Sequence, residues 1–550
     1  MAAGTAANLS LSANTIGGGT PDPGTTPRKK KPAILFYHDG RHPLVYMYEP
    51  PMSKEEYESP VDELAGTPVE ALVFEIGSGV MLYDTRVGEL WGHNVKRWPM
   101  AVWRRAHQNA RMLIDAGYDP LRVLCDRAHA KGMLLYPSLI VQTGAGPGGR
   151  EGSMRRSDFS FDNRRLEIGA GGGLDPNFPG STVFDFKHAE VRDERFRLID
   201  EVLARYPIDG FELQLTHAYY FRPDEIESGR NIMTEWIAKI SRAVKASGRE
   251  REFVIRIDGD IGRCYDAGLD IREWIRQGLV DALIGEPPYR DHADQTADFR
   301  PLVAAAKGSQ CRVHAVIGST VGSDRLGESV TPVIRAAACN YWAQGVQGLC
   351  LAQWQANWPY QASFYESLRE LPYPDVMAAK DKIYYVPTIT CRNPQGLPGA
   401  RLPEELRLHE AVRVELPISD DLARWHQAGR LHEVLLRLRV ANTTELDRIE
   451  FFLNGQRLPA SSLRRINEMF RMTAPRCLTG SSYWFIYRLP PSCWPKIGDN
   501  VVEVRLIERD PDVTPKASLR DVELEVKYLM GKSFHRGQDP DLGAYDRHIE

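Results

Sequence analysis

Between residues 31 and 371, short apolar runs alternate with longer stretches whose apolar positions recur every three or four residues. The first spacing suits a strand and the second an amphipathic helix. The runs at 33–38, 71–76, 133–141, 210–216, 253–258, 282–286, 312–317 and 348–354 predict strands. The stretches 101–116, 192–206, 231–247, 270–277, 299–307 and 331–344 predict helices. Eight strand–helix units over about 340 residues predict an α/β fold, the (β/α)8 TIM barrel. A doubly wound open sheet would carry a glycine-rich phosphate turn after its first strand, and Tyr37-His38-Asp39-Gly40-Arg41-His42 is not one. After Pro372 the helical period disappears. Two-residue alternation takes over at 412–416, 433–440, 448–453, 483–489, 500–508 and 522–527, with a hairpin signal at Asn454-Gly455. This part predicts an all-β sandwich, jelly-roll-like. The expected organisation is a disordered leader over 1–31, a barrel over 32–375 and an accessory sandwich over 376–550.

One strand departs from the apolar rule. In Asp209-Gly210-Phe211-Glu212-Leu213-Gln214-Leu215-Thr216-His217 the polar residues Glu212, Gln214 and Thr216 fall at every second position and share one face. Polar groups on an otherwise apolar strand are costly unless they line a site or find partners. The Tyr219-Tyr220-Phe221-Arg222 run that follows offers flat rings beside a guanidinium, a combination suited to sugars. An insertion over 143–183, glycine-rich and holding Arg150, Arg155, Arg156, Arg164 and Arg165, follows the third strand. It reads either as a solvated loop or as a lid with anion-binding capacity on the barrel's C-terminal face.

Polar residues at the C-terminal ends of barrel strands carry the chemistry of such folds. Here they are His38 and Asp39, Glu75, Gln142, Glu212 with Gln214 and His217, Asp258, Glu286, His314, and Gln353 with Trp354. Glycoside hydrolysis uses two carboxyl groups, one donating a proton and one facing the oxocarbenium-like centre. Glu212 and Glu286 are the expected catalytic pair, with Asp258 as substitute for either. His38, Glu75, Gln214, His217, Arg222, His314, Gln353 and Trp354 are expected to hold hydroxyls and ring faces. Each has a plainer reading: Glu212 as a structural hydrogen-bond hub, Asp258 as a turn cap, Glu75 as a loop anchor, Trp354 as rim packing.

Composition narrows the classes. A net charge of -4 with 43% hydrophobic and 26% charged residues describes a folded globular chain and gives no support for nucleic-acid or membrane binding. No apolar run approaches the roughly 20 residues that span a bilayer. The N-terminus has no basic start and apolar core, so no intact signal peptide is read; a secreted or periplasmic location is compatible with a signal already removed. The 8 cysteines are scattered without zinc spacing, and only Cys477 and Cys493 are close enough in a β-rich region to suggest a disulfide. No cofactor is expected, although carboxylates and histidines in a barrel mouth can hold a divalent metal.

The segment from Thr182-Val183-Phe184-Asp185-Phe186 to Tyr206-Pro207-Ile208-Asp209-Gly210-Phe211-Glu212-Leu213 resembles uncharacterised bacterial glycosyl hydrolase-like barrel families. The segment 264–283, with Gly268-Leu269-Asp270-Ile271, Trp274 and Gly278-Leu279-Val280-Asp281, is similar too. The resemblance covers about 30–370 and implies a barrel with a carbohydrate substrate. Two departures stand out: Gln214 replaces the second acid of those relatives, and Thr216 stands where chitinase-type barrels keep their proton donor. The leading expectation is a glycoside hydrolase. The alternatives are a metal-assisted sugar lyase, isomerase or epimerase, and a non-catalytic glycan-binding protein.

Overall fold

The computed structural model describes residues 31–40, 48–175, 177–288, 292–352, 354–390, 400–468, 482–531, 538–539 and 543–544. All of the expected leader except Lys31, together with Gln353 and Cys477, lies outside them.

Eight parallel strands form the first part: β1 (Ile34–His38), β2 (Ala71–Gly77), β3 (Leu134–Ile140), β4 (Gly210–Leu215), β5 (Glu252–Asp258), β6 (Ala282–Glu286), β7 (Arg312–Gly318) and β8 (Gly348–Ala352). Each pairs with its neighbour in chain order, and β1 also pairs with β8, so the sheet closes into the expected barrel. The strands are buried on both faces, as a helix-covered parallel sheet requires. One face belongs to a lumen core that includes Leu35, Val73, Tyr136, Val254, Ile284, Val316 and Cys350. The other packs against the helices, chief among them Ala101–Asp115, Pro120–Ala130, Ala189–Arg205, Ile226–Ser247 and Thr331–Ala343. The helix Pro120–Ala130 escaped the sequence reading because its proline occupies the first turn, where a missing N–H costs nothing.

Backbone crowding fixes two glycines. A Cβ on Gly348 would stand 2.1 Å from the His314 ring, at the contact between β7 and β8. Gly40, with φ +70°, brings the turn after β1 against the Glu75 carbonyl, where a Cβ would meet oxygen at 2.1 Å. The β2–β3 ladder shifts register between Glu75 and Gly77, a bulge at the C-terminal end of β2.

From Lys382 onward the chain forms antiparallel sheets. A six-stranded sheet, with Leu431–Ala441 between Ser518–Tyr528 and Ser482–Arg488, faces a four-stranded sheet built on Val501–Glu508. Leu436, Leu438, Phe451, Phe485, Val502 and Val504 fill the space between them. Asn454 and Gly455 both take positive φ, 52° and 80°, and turn the hairpin read from the sequence. Barrel and sandwich belong to one compact unit, Pro32–Glu550.

Candidate functional site

Alternation along each strand decides which side chains enter the lumen. Near the N-terminal end, Glu252 accepts from Tyr136 Oη at 2.7 Å and from Arg312 Nη2 at 2.6 Å. His314 lies in the same region, with Nε2 3.1 Å from the Pro32 carbonyl. Burial pushes its imidazole down to about 3. His314 thus sits in the N-terminal part of its strand, beside Pro32 and Gly348 and away from the C-terminal mouth.

Above the apolar middle of the barrel lies a polar layer. Tyr37, Glu75, Ser138, Glu212, Gln214, Arg256 and Glu286 share it. Arg256 organises the layer. Its Nε donates to Glu212 at 2.5 Å, its Nη1 stands 3.5 Å from Glu286, and its guanidinium lies over the Tyr37 ring at 4.1 Å. Tyr37 donates to Glu75 at 2.6 Å and accepts from Gln214 Nε2 at 3.1 Å; the same Nε2 reaches Ser138 Oγ at 2.8 Å. Burial and the Glu75 charge hold the Tyr37 hydroxyl far above the usual phenol range, so it remains a donor. Burial likewise pushes the Cys350 thiol, 3.8 Å from Arg256, up to about 12.

Glu75, Glu212, Gln214 and Glu286 are thus brought together, and the rest of the expected set divides. Glu212 is fully buried, and its Oε2 has no hydrogen-bond partner among the described residues. Glu286, the last residue of β6, is 8% exposed. Asp258 is the register partner of Glu286 across the β5–β6 ladder. It is a third exposed, bonded in two-pronged fashion to Arg263 at 2.8 and 2.9 Å, and accepts from Asp260 N at 2.8 Å. The turn-capping reading of Asp258 describes these contacts. A cavity of about 320 Å³ adjoins this edge of the barrel, lined by Asp260, Arg263, Glu286, Asp294, Phe299 and Arg401 among others.

Other expected binders sit elsewhere. His38 lies on the outward face of β1, where its ring stacks at 5.2 Å on Phe74, its partner across the ladder on β2, and its Nδ1 accepts from Gly40 N. The Trp354 ring is buried, donates to the Ile317 carbonyl at 3.1 Å and packs on Phe364, contacts that the rim-packing reading describes. His217 is exposed beyond the end of β4. Arg222 holds the insertion, donating to the Ile168 and Gly172 carbonyls at 3.2 Å each.

The insertion is folded onto the barrel, with short helical turns at Asp158–Asp162, Arg164–Leu166 and Ile168–Gly171. Arg156 donates to the Gly144 carbonyl, and Arg164 to those of Gly146 and Gly148. These two arginines tie the loop to itself. Glu89, His93 and Asp158 form a group with ligand atoms within 4.8 Å of one another. It belongs to the segment after β2 and to the insertion, not to the barrel strands.

Arg256, Tyr37 and Ser138 were not expected in the site. The signal was present in the sequence. The two-residue period that aligns Glu212 with Gln214 also aligns Val254, Arg256 and Asp258, and a charged residue inside an apolar strand calls for partners.

No protein-family model matches the chain. Over 240 aligned residues it is 24% identical to a protein named glycosyl hydrolase DigH from Escherichia coli O6:H1, and 23% identical to that of Escherichia coli K12. Each match takes in 35% of this chain and 50% of the relative, so the chain spans about half the length of the curated relatives it matches. Among solved structures, an α-L-fucosidase isoenzyme from Paenibacillus thiaminolyticus aligns over 64% of this chain and 50% of its own, with a TM-score of 0.41 and 13% identity. The PgaB glycoside hydrolase domain from Bordetella bronchiseptica aligns over 62% of this chain and 98% of its own, with a TM-score of 0.39 and 12% identity. At these scores the likenesses carry no argument, and the barrel is read from its own strand pairing.

Proposed function

We propose that this chain is a glycoside hydrolase acting on an oligo- or polysaccharide at the C-terminal mouth of the barrel. The supporting observation is the gathering of Glu212 and Glu286 about the buried guanidinium of Arg256, with Glu75 joined to it through the Tyr37 hydroxyl. Local aqueous solvation does not account for such an expensive cluster, and barrel chemistry is done at this end of the strands. The glycosyl hydrolase name of the curated relatives agrees with the reading.

Cleavage requires a proton on the leaving oxygen and a carboxylate at the developing positive charge, followed by delivery of water to the anomeric carbon. We assign the proton to Glu286. It ends its strand and meets Arg256 at a looser distance than Glu212 does. Asp258, its neighbour across the ladder, is the second carboxylate. Glu212 stands behind them as the anchor of Arg256. In a complex, carboxyl separations of about 5–5.5 Å go with retention and about 6.5–9.5 Å with inversion.

Glu286→Gln is expected to lower kcat by about a hundredfold or more, the usual worth of a general acid, with the melting temperature near wild type. Undiminished turnover in that variant removes Glu286 from the mechanism. A non-catalytic glycan-binding role is the second reading, favoured by the complete burial of Glu212 and the engagement of Asp258 by Arg263. It is distinguished by saccharide binding without new reducing ends.

A further inference from the structure

Gln142 follows β3 at the barrel mouth, and its side chain is unaccounted for by the fold. Leu135, Leu139 and Val141 belong to the outward core, whereas Leu134 and Tyr136 belong to the lumen core, so Gln142 carries lumen parity. It lies two residues beyond Ile140, which pairs with Gln214 of β4. The residue is 1% exposed, and neither its Oε1 nor its Nε2 has a hydrogen-bond partner among the described residues. A buried carboxamide in that condition is costly to the folded protein.

The backbone around it is held firmly. Arg195, itself fully buried, donates from Nε to the Val141 carbonyl at 2.7 Å and from Nη2 to the Thr143 carbonyl at 3.0 Å. Phe184 N donates to the Gln142 carbonyl at 3.1 Å. Glu167 then fixes Ala145 N at 2.8 Å. The carbonyls of 141, 142 and 143 are therefore hydrogen-bonded while the side chain between them is not. A carboxamide at a fixed position, offering a donor beside an acceptor, is the arrangement that recognises a ligand group with the opposite pair.

We propose that Gln142 is a saccharide-binding residue whose carboxamide exchanges two hydrogen bonds with vicinal hydroxyls of a neutral sugar in the barrel mouth. The inference rests on the carbohydrate reading above and adds the residue and the chemical group it recognises. A vicinal diol supplies one acceptor and one donor at matching spacing. A residue retained for a ligand at the expense of the free protein should become dispensable for stability when made apolar.

The test uses the full chain with Gln142→Leu and Gln142→Met. Binding of maltoheptaose, isomaltoheptaose, cellohexaose and chitohexaose is measured by calorimetry, and thermal melting is measured without saccharide. The expected result is melting at or above the wild-type temperature in both variants. Affinity for the saccharide that wild type binds should fall about tenfold or more, the worth of one or two lost hydrogen bonds. Unchanged affinity overturns the proposal. So does melting clearly below wild type in both variants, which would assign the carboxamide to the fold. A wild-type protein that binds none of the four saccharides overturns it too. Wild-type binding without release of reducing ends removes the hydrolase reading alone, because Gln142 is judged on affinity and melting.

Discussion

Arg256 is the residue on which the polar layer depends. It is a fully buried cation, and burying it is tolerable because Glu212 at 2.5 Å and the Tyr37 ring hold it, with Glu286 at a looser 3.5 Å. Arg256→Met leaves the Glu212 carboxylate buried without its partner, at an expected cost of about 3–5 kcal/mol. Urea unfolding of Arg256→Met, Glu212→Gln and the double variant measures the coupling. A double variant no worse than Arg256→Met is expected, and strict additivity would show that the two groups act independently. Two histidines give the molecule an acid limb. Burial holds His314 near 3 and His292 near 4, whereas unfolded imidazoles take up protons near 6.5. Below pH 6.5 the unfolded chain therefore binds more protons, and stability falls as the pH drops toward those values. Thermal melting of His314→Asn across pH 3–7 should show a shallower decline than wild type. A parallel decline would remove His314 as a contributor.

At the scale of elements, short continuous apolar runs made the barrel strands legible. All eight barrel strands appear within two residues of their expected bounds, because strands buried on both faces leave continuous apolar runs. The polar row on β4 was legible because Glu212, Gln214 and Thr216 fall at every second position. What one strand cannot disclose is which residues of other strands meet it. The Glu212–Arg256 pair joins residues 44 apart in sequence, and the Gln214–Tyr37 bond joins residues 177 apart. Closure sets both, and local pattern does not. The insertion was harder still, since its order comes from arginines reaching backbone carbonyls, which leaves no periodicity. Strand contact also exposes a weak point. Gly348→Ala would drive a methyl group into the His314 ring at the β7–β8 contact. The expected result is loss of at least about 1–3 kcal/mol by urea unfolding, the usual cost of overpacking. A wild-type midpoint would mean that the His314 ring can move aside.

Over the whole molecule the sandwich is bonded to the barrel and not merely tethered. Gln295 donates to the Ile383 carbonyl at 2.7 Å and accepts from Tyr385 N at 2.7 Å, while Asn340 donates to the Pro417 carbonyl at 3.0 Å. Arg439 of the sandwich reaches Asp324 of the barrel part at 2.9 Å, and Arg325 reaches Glu523 at 2.7 Å. Calorimetry should therefore show one transition that Gln295→Ala lowers without splitting; two separate transitions would show parts that unfold independently. This rigid frame holds the barrel mouth, and the proposed chemistry stands or falls on what occupies it. The most direct measurement is the structure of the Glu286→Gln protein bound to an oligosaccharide that wild type cleaves. The glycosidic oxygen is expected within about 3 Å of the side chain at position 286, hydrogen-bond distance for a proton donor. A saccharide bound away from that carboxamide, outside the ring of strand ends, would contradict the assignment of this barrel mouth as the catalytic site.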